Sequence, residues 1–288
     1  MSQAADALLR RCIAALASSS AGGSFLRIGA HRAWEDSNDP YGRAGLRDFA
    51  QTLLVEPQPT MASHLREAAT RDYNESVRVA NAAVCSSDNA SLTFYAADPN
   101  KVGKMSQSAS FNLQHVLRHV QLVFLRTSRS TRFKFNWTRP TDLVVGHSVE
   151  CLSVPTLLAR YGIAAPSVRV VTVDAESFDV DIVDSLPITI LTGLRLLVWE
   201  TNIVPSHEDE ARRSRLQALV DRLEHVHGFE CRGWASRRRR MPLNGRCILD
   251  EENAWCLHWT VARKVHCDVA STKLDALRPR CLNHGSSR

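Results

Sequence analysis

The stretch Asp250–Thr260 reads D-E-E-N-A-W-C-L-H-W-T and concentrates acidic, aromatic and thiol side chains in one short segment. Asn253 is a good helix N-cap, because its side-chain oxygen can accept a bond from a first-turn N–H. The three acids before it favour the positive end of a helix dipole. Leu257 and Val261 then follow at helical spacing. This pattern predicts a helix from about Asn253, with Cys256 in its first turn.

The surroundings of Cys256 favour two different roles. Unpaired N–H groups and the dipole at a helix start stabilise a thiolate, which makes the thiol a better nucleophile. The neighbouring carboxylates oppose that ionisation. A cysteine between aromatic residues, here Trp255 and Trp259, is also commonly a small buried hydrophobic residue. A catalytic role and a structural role therefore both stay open for Cys256.

The motif W-C-L-H-W-T-V at residues 255–261 resembles a motif of an uncharacterised cysteine-peptidase-like protein family of large DNA viruses of eukaryotes. That motif is an aromatic residue, Cys, two residues, Trp, Ser or Thr, and an aliphatic residue, and the resemblance extends over about residues 185–265. In that family a strand ending in an acid precedes the cysteine, and Leu194–Thr201 is a predicted strand that contains Glu200. The resemblance implies Cys256 as the nucleophile, Glu200 as the acid and a protein as the substrate.

The histidine that this family carries on the strand before the acid is absent, since Asp179–Arg195 contains none. A side chain two residues from Cys256 along a helix would point to a different face, which disfavours His258 as the base. We assign the base to His147, in G-H-S, with Glu200 orienting it. An inactive family member, acting as a structural or interaction protein, is the alternative. The histidines considered are His147, His207 and His258.

The composition is that of an ordinary folded protein. The chain has 288 residues, of which 44% are hydrophobic and 23% charged, enough for a real core in one large domain or two smaller ones. No apolar run approaches the roughly 18 residues that span a bilayer, and the N-terminus lacks the pattern of a secretory signal. We predict no membrane partner and an intracellular protein, in the host cytoplasm or nucleus or in the virion. Its eight cysteines are then expected to be reduced.

The net charge of +6 is concentrated in one region. Residues 211–246 hold ten arginines, no lysine and three acids, which leaves 26 basic and 27 acidic residues elsewhere. Arginine clusters on loops contact phosphates, but they also form solvated faces and nuclear-import signals. Aromatic residues are not interleaved with them as in stacking platforms. The predicted site for nucleic acid or an acidic partner is the cluster Arg237, Arg238, Arg239 and Arg240.

Two groups of metal-ligand residue types lack the pattern of a metal site. His115 and His119 are four apart on a predicted helix, but the residue after the first is Val116 and not the Glu of metalloproteases. The cysteines and histidines between Cys231 and His284 include no C-x-x-C pair. We therefore predict no metal and no cofactor.

The periodicity divides the chain into three regions. Residues 1–88 are predicted to be mainly helical, with helices over 3–17, 43–55 and 60–84. Strands are then predicted at 91–96 and 132–137. Four further β-rich segments are separated by turn-sized gaps, which favours an antiparallel arrangement: 168–173, 178–183, 187–191 and 194–201. Helices are predicted over 111–125 and from Ser206 to Gly228. The predicted fold class is α+β, with a helical N-terminal region, a sheet-and-helix domain at 89–270 resembling cysteine peptidases, and a flexible tail at 271–288.

Overall fold

A computed structural model describes most of the chain up to residue 234 and two segments beyond it. The described residues are 10, 12–18, 23–35, 46–98, 101, 109–126, 138–175, 178–200, 209–234, 240–242 and 253–258. The predicted strand at 132–137, the arginines at 237–239 and the predicted tail lie outside these residues. Within them, no helix combines the length and the apolar character needed to cross a membrane.

The described residues form two sheets of eight and four strands. The larger sheet contains β1 (Ser24–Ile28), β2 (Gln51–Val55), β3 (Val77–Ala80), β8 (Val168–Val173), β9 (Leu196–Glu200), β10 (Phe229–Trp234), β11 (Arg240–Pro242) and β12 (Asn253–His258). The smaller sheet contains β4 (Ala83–Val84), β5 (Asn89–Ala97), β6 (Ala109–Ser110) and β7 (Val144–Leu152). The helices are α1 (residues 12–18), α2 (Pro59–Tyr73), α3 (Leu113–Arg126), α4 (Val154–Arg160), α5 (Asp179–Asp184), α6 (Ile188–Gly193) and α7 (Asp209–His225).

The larger sheet is doubly wound. Its strand order is β11-β10-β12-β9-β8-β1-β2-β3, and the five strands from β9 to β3 are parallel. β12 lies antiparallel between β9 and β10. The chain first builds outward from β1 to β3 and then crosses back to β8 and β9 on the other side. The strand order therefore reverses between β1 and β8, which is the topological switch point of such a sheet.

The central strands are nearly continuous apolar runs because helices cover both faces of the sheet. On one face, Ile28, Val173 and Trp199 pack against buried residues of α4 to α7. On the other face, Phe25 and Leu54 pack against buried residues of α1 and α2. This arrangement is a three-layer α/β/α core.

The smaller sheet is an insertion between β3 and β8, with the order β4-β7-β5-β6. α3 packs on it through Val116, Val120 and Phe124. A disulfide joins Cys85, just after β4, to Cys151 in β7, with their Cα atoms 5.8 Å apart. Cys231 is also disulfide-bonded. These cysteines differ from the reduced thiols that we predicted, whereas Cys12 is a buried thiol outside any disulfide.

The predicted fold class is wrong. Residues 24–80 supply three parallel strands to the central sheet, where mainly helix was expected. The expected antiparallel arrangement occurs at the β9–β12–β10–β11 edge and in most pairs of the small sheet, but β8 and β9 are parallel. Strands from both sides of residue 88 thus belong to one sheet.

Individual elements show where the periodicity was misleading. The alternating D-V-D-I-V-D was predicted as a strand but forms α5, because Asp179 accepts a hydrogen bond from the N–H of Ala175 at 2.9 Å and fixes the helix entry. Gln51–Val55, predicted as the end of a helix over 43–55, forms the strand β2. Asn253–His258 is also a strand and not a helix. The predictions of β5, β8, β9, α3 and α7 are confirmed to within a few residues.

Gly29 lies at the switch point, where three chain segments meet. The N–H groups of Gly29 and Ala30 both donate to the carbonyl of Val55 at 3.0 Å, and the N–H of Asp174 donates to the carbonyl of Ile28 at 2.9 Å. Gly29 has a φ of +76°, and a Cβ built on it would lie 1.7 Å from the carbonyl oxygen of Asp174. Only glycine fits this position without displacement of the backbone.

We expect Gly29→Ala to lower the free energy of unfolding by more than about 2 kcal/mol, because positive φ and a backbone clash both penalise the methyl group. Gly162→Ala is the matched control. Gly162 also has positive φ, at +63°, but a Cβ there meets nothing within 4 Å. The control should cost about 1 kcal/mol. Denaturant unfolding of both variants measures the difference, and equal losses would contradict the role of the close approach.

Candidate ligand-binding crevice

A crevice of about 300 Å³ opens at the carboxyl ends of β1, β2 and β8. This is the place where open α/β sheets bind ligands, since the strand order reverses there. The volume is at the lower end of the range for small-molecule sites. The crevice is lined on one side by the loops after these strands and on the other by residues of the inserted sheet.

Glu56, the residue that follows β2, is the central polar group of the crevice. Its side chain is only 5% exposed. One carboxylate oxygen accepts the N–H of His31 at 2.7 Å, and the other accepts the N–H of Gln58 at 2.8 Å. A carboxylate has about four acceptor positions, so both oxygens can accept further hydrogen bonds from a ligand.

Burial dominates the ionisation of this carboxyl group and raises the pKa of Glu56 from 4.5 to about 7. The N–H groups of Gln58 and His31, and the positive charge of Arg27, act in the opposite direction. Arg27 is itself buried in β1 and lines the crevice. The site therefore holds a carboxyl group that changes its charge near neutral pH.

Gln58 supplies a second polar group beside Glu56. Its side chain is 2% exposed and lines the crevice. Its Nε2 has no hydrogen-bond partner within the described part of the chain. The loop that carries it is fixed by Asn81, whose amide donates to the carbonyls of Glu56 and Pro57 at 3.0 Å. A buried amide without a partner costs free energy, so a ligand acceptor here would satisfy it.

The loop after β1 has an unusual backbone. His31 and Ala33 both have a φ of +46°, although neither is glycine. Such conformations each cost of order 1–3 kcal/mol and are concentrated at functional sites. The strained loop presents the N–H of His31 to Glu56 and lines the crevice. The strained backbone therefore belongs to the loop that holds Glu56 and forms part of the crevice.

The opposite wall is aromatic. Phe94 of β5 and Phe111, just after β6, have ring centroids 5.2 Å apart in an edge-to-face contact. Phe111 then contacts Phe178, in the loop after β8, at 5.4 Å in the same geometry. The three rings connect the inserted sheet to the central sheet, and all three line the crevice. The crevice is thus polar on one side and apolar on the other.

The structure does not bring the predicted catalytic residues together around this crevice. It also does not place Cys256 at the start of a helix. Cys256 lies within β12, in register with Leu197 of β9 and Cys231 of β10. Glu200 ends β9, and His147 lies in β7 of the other sheet, opposite Phe94. Of the predicted arginine cluster, Arg240 begins β11. His115 and His119 have rings 4.6 Å apart on α3, and no group of three metal-ligand side chains occurs among the described residues.

Gly29 and Glu56 were missed because the two strands that they follow, β1 and β2, were not predicted. Glu56 was interpreted as following a helix over 43–55, and Gly29 was not assigned a role. The sequence does carry a signal. The apolar runs S-F-L-R-I and Q-T-L-L-V are followed directly by Gly29 and Glu56, which is the pattern of buried parallel strands ending at a binding edge.

Comparison with known proteins gives only remote similarities. No protein-family model matches the chain, and no curated protein matches it. The methyltransferase FkbM from Methylobacillus flagellatus is 8% identical, with 82% of this chain and 44% of that chain covered and a TM-score of 0.42. Precorrin-6y C5,15-methyltransferase from Geobacter metallireducens is 10% identical, with 86% and 87% covered and a TM-score of 0.30. The match spans less than half of the FkbM chain, and these values establish neither a family nor an activity.

The predicted cysteine-peptidase-like function, with its hydrolase chemistry, is wrong. It required Cys256 at a helix N-terminus, and this residue lies within a strand. The central sheet is doubly wound with five parallel strands, where the prediction had an antiparallel sheet. The resemblance to the viral family itself is tested by none of these observations and stays a prediction.

The raised pKa of Glu56 makes stability depend on pH. An acid with a higher pKa in the folded protein binds its proton more tightly there, so its contribution is complete below about pH 4.5 and is lost as the pH rises through about 7. Relative to Glu56→Gln, the wild type should lose about 3 kcal/mol of unfolding free energy over this interval. Glu67→Gln, at an exposed position of α2, is the control and should follow the wild type. Parallel pH profiles of wild type and Glu56→Gln would contradict the burial of a titrating carboxyl group.

Proposed function

We propose that the crevice binds S-adenosylmethionine and that the protein is a methyltransferase. The observation that carries the proposal is the buried Glu56 at the carboxyl end of β2, beside the switch point. In doubly wound folds an acid that follows the strand next to β1 accepts hydrogen bonds from ribose hydroxyls. Glu56 has this position, lines the crevice and retains acceptor capacity.

The residues present fit the adenosine part of such a molecule. Gly29 keeps the first loop free of a side chain where the β1 and β8 loops meet, since a Cβ there would overlap Asp174. The unpartnered Nε2 of Gln58 can donate to an acceptor of the sugar or the base. Ile28, Ala30 and Val55 provide apolar surface for a flat base.

A dinucleotide fits this site less well. Dinucleotide sites use G-x-G-x-x-G followed by an α-helix, whose N-terminus holds the pyrophosphate. Here residues 29–34 read G-A-H-R-A-W, and the described segment continues into a 3₁₀ turn at Ala33–Glu35. A nucleoside cofactor without a pyrophosphate is therefore favoured over NAD.

The chain's residues bind, orient and enclose the reactants. When bound, the cofactor supplies a methyl group attached to a positively charged sulfur. An electron-rich atom of the acceptor takes this methyl group, and the electron pair of the broken carbon–sulfur bond stays on sulfur. Glu56 and Gln58 orient the nucleoside, and the aromatic wall gives the opposite side an apolar surface. Such positioning is a main source of catalysis in a two-substrate reaction.

The direct test is isothermal titration calorimetry at about pH 8, where most of the Glu56 carboxyl is ionised. We expect S-adenosylhomocysteine and S-adenosylmethionine to bind more tightly than NAD. Glu56→Gln should weaken S-adenosylhomocysteine binding by at least about tenfold, because a hydrogen bond to a charged acceptor is lost.

Glu67→Gln is the matched control, with the same chemical change at an exposed position of α2, and it should bind as the wild type does. Failure of S-adenosylhomocysteine to bind at about 1 mM, or tighter binding of NAD, would overturn the proposal. A ribose role for Glu56 would be refuted by unchanged affinity in the folded Glu56→Gln variant.

A further inference from the structure

The two walls of the crevice differ in chemistry according to the part of the chain that supplies them. The ionisable lining residues come from the central sheet and its loops: Arg27, His31, Glu56 and Asp174. The described residues of the insertion that line it are all apolar: Ala82, Ala83, Val84, Phe94, Ala109 and Phe111. The insertion therefore adds apolar surface to a site whose polar groups belong to the core fold.

The aromatic wall is partly open. Phe94 is 7% exposed, whereas Phe111 and Phe178 are only half-buried. Each edge-to-face contact covers at most one face of one ring, so the two contacts leave other ring faces of the row uncovered by these rings. Ring edges and faces of this kind attract a further aromatic ring in offset or edge-to-face contact. A flat ring lying against Phe111 and Phe178 would extend the existing row.

The same wall disfavours anionic ligands. Phosphate and carboxylate groups are recognised by Arg or Lys, and no described residue of the insertion places such a group on the crevice. An anion lying against Phe94 and Phe111 would lose hydration without gaining a partner from the described residues of the insertion. The wall selects against anions.

We infer that the insertion between β3 and β8, together with Phe178, forms the acceptor site of the enzyme and that the acceptor is a flat aromatic molecule without a negative charge. The identification of this site as the methyl-acceptor site rests on the proposed function. The binding of an aromatic ring rests only on the contacts of Phe94, Phe111 and Phe178. The two can therefore be tested separately.

The test is direct binding of three probes of related shape, measured by calorimetry with and without S-adenosylhomocysteine. The probes are 2-naphthol, its saturated analogue decahydro-2-naphthol, and 2-naphthyl phosphate. We expect 2-naphthol to bind about threefold to tenfold more tightly than the saturated analogue, because only the aromatic probe gains ring–ring contacts. The phosphate should bind more weakly than 2-naphthol.

Phe111→Leu should weaken 2-naphthol binding by about threefold to tenfold and leave decahydro-2-naphthol nearly unchanged. Phe178→Leu is a second variant with the same expectation, should the first one fail to fold. Phe124→Leu is the matched control, since Phe124 belongs to the core beneath α3 and not to the crevice. Thermal unfolding establishes that each variant is folded.

Equal affinity for 2-naphthol and its saturated analogue would overturn the inference, as would unchanged binding in both crevice variants. Binding of 2-naphthol that depends on Phe111, in a protein that does not bind S-adenosylhomocysteine, would support the aromatic site and refute the methyltransferase proposal. Binding of S-adenosylhomocysteine without 2-naphthol binding would do the reverse.

Discussion

The architecture depends on a backbone contact that leaves no room for a side chain. At Gly29 the end of β1 is joined to β2 through the carbonyl of Val55 and to β8 through the N–H of Asp174. The parallel sheet reverses its order at this contact, so the loops on either side diverge and leave a crevice. The position of Glu56, the strained loop after β1 and the access of the insertion to the site all follow from this divergence.

The crevice combines two kinds of surface that a single sheet edge does not normally provide. The central sheet and its loops supply a carboxyl group, an amide and a guanidinium in a buried setting, where each interacts strongly because water is excluded. The insertion supplies phenylalanine rings at the other side. A ligand pair with one polar and one apolar member matches this division better than two polar ligands do.

Much of the local structure was readable from the sequence, but the fold was not. The strands β8 and β9 and the helices α3 and α7 carry clear periodicity, and their predictions were close to the structure. β1 was missed because Arg27 interrupts an apolar run, and β12 was misassigned because Asn253 resembles a helix cap. Whether strands pair in parallel depends on long-range contacts, as with β1 and β8, and short windows of sequence do not contain that information. The role of Glu56 could not be predicted for the same reason, since it depends on which loops come together around this residue.

The disulfide between Cys85 and Cys151 has a topological consequence. It closes residues 85–151 of the insertion into a covalent ring that begins directly after Val84, a residue of the crevice lining. A single backbone cut anywhere within that ring would leave both pieces attached, and only a reducing agent would separate them. Closing a loop of this length restricts the unfolded chain by about 4 kcal/mol in the entropic model. Phe94 and Phe111 of the aromatic wall thus belong to a segment whose persistence is linked to the redox state of its surroundings.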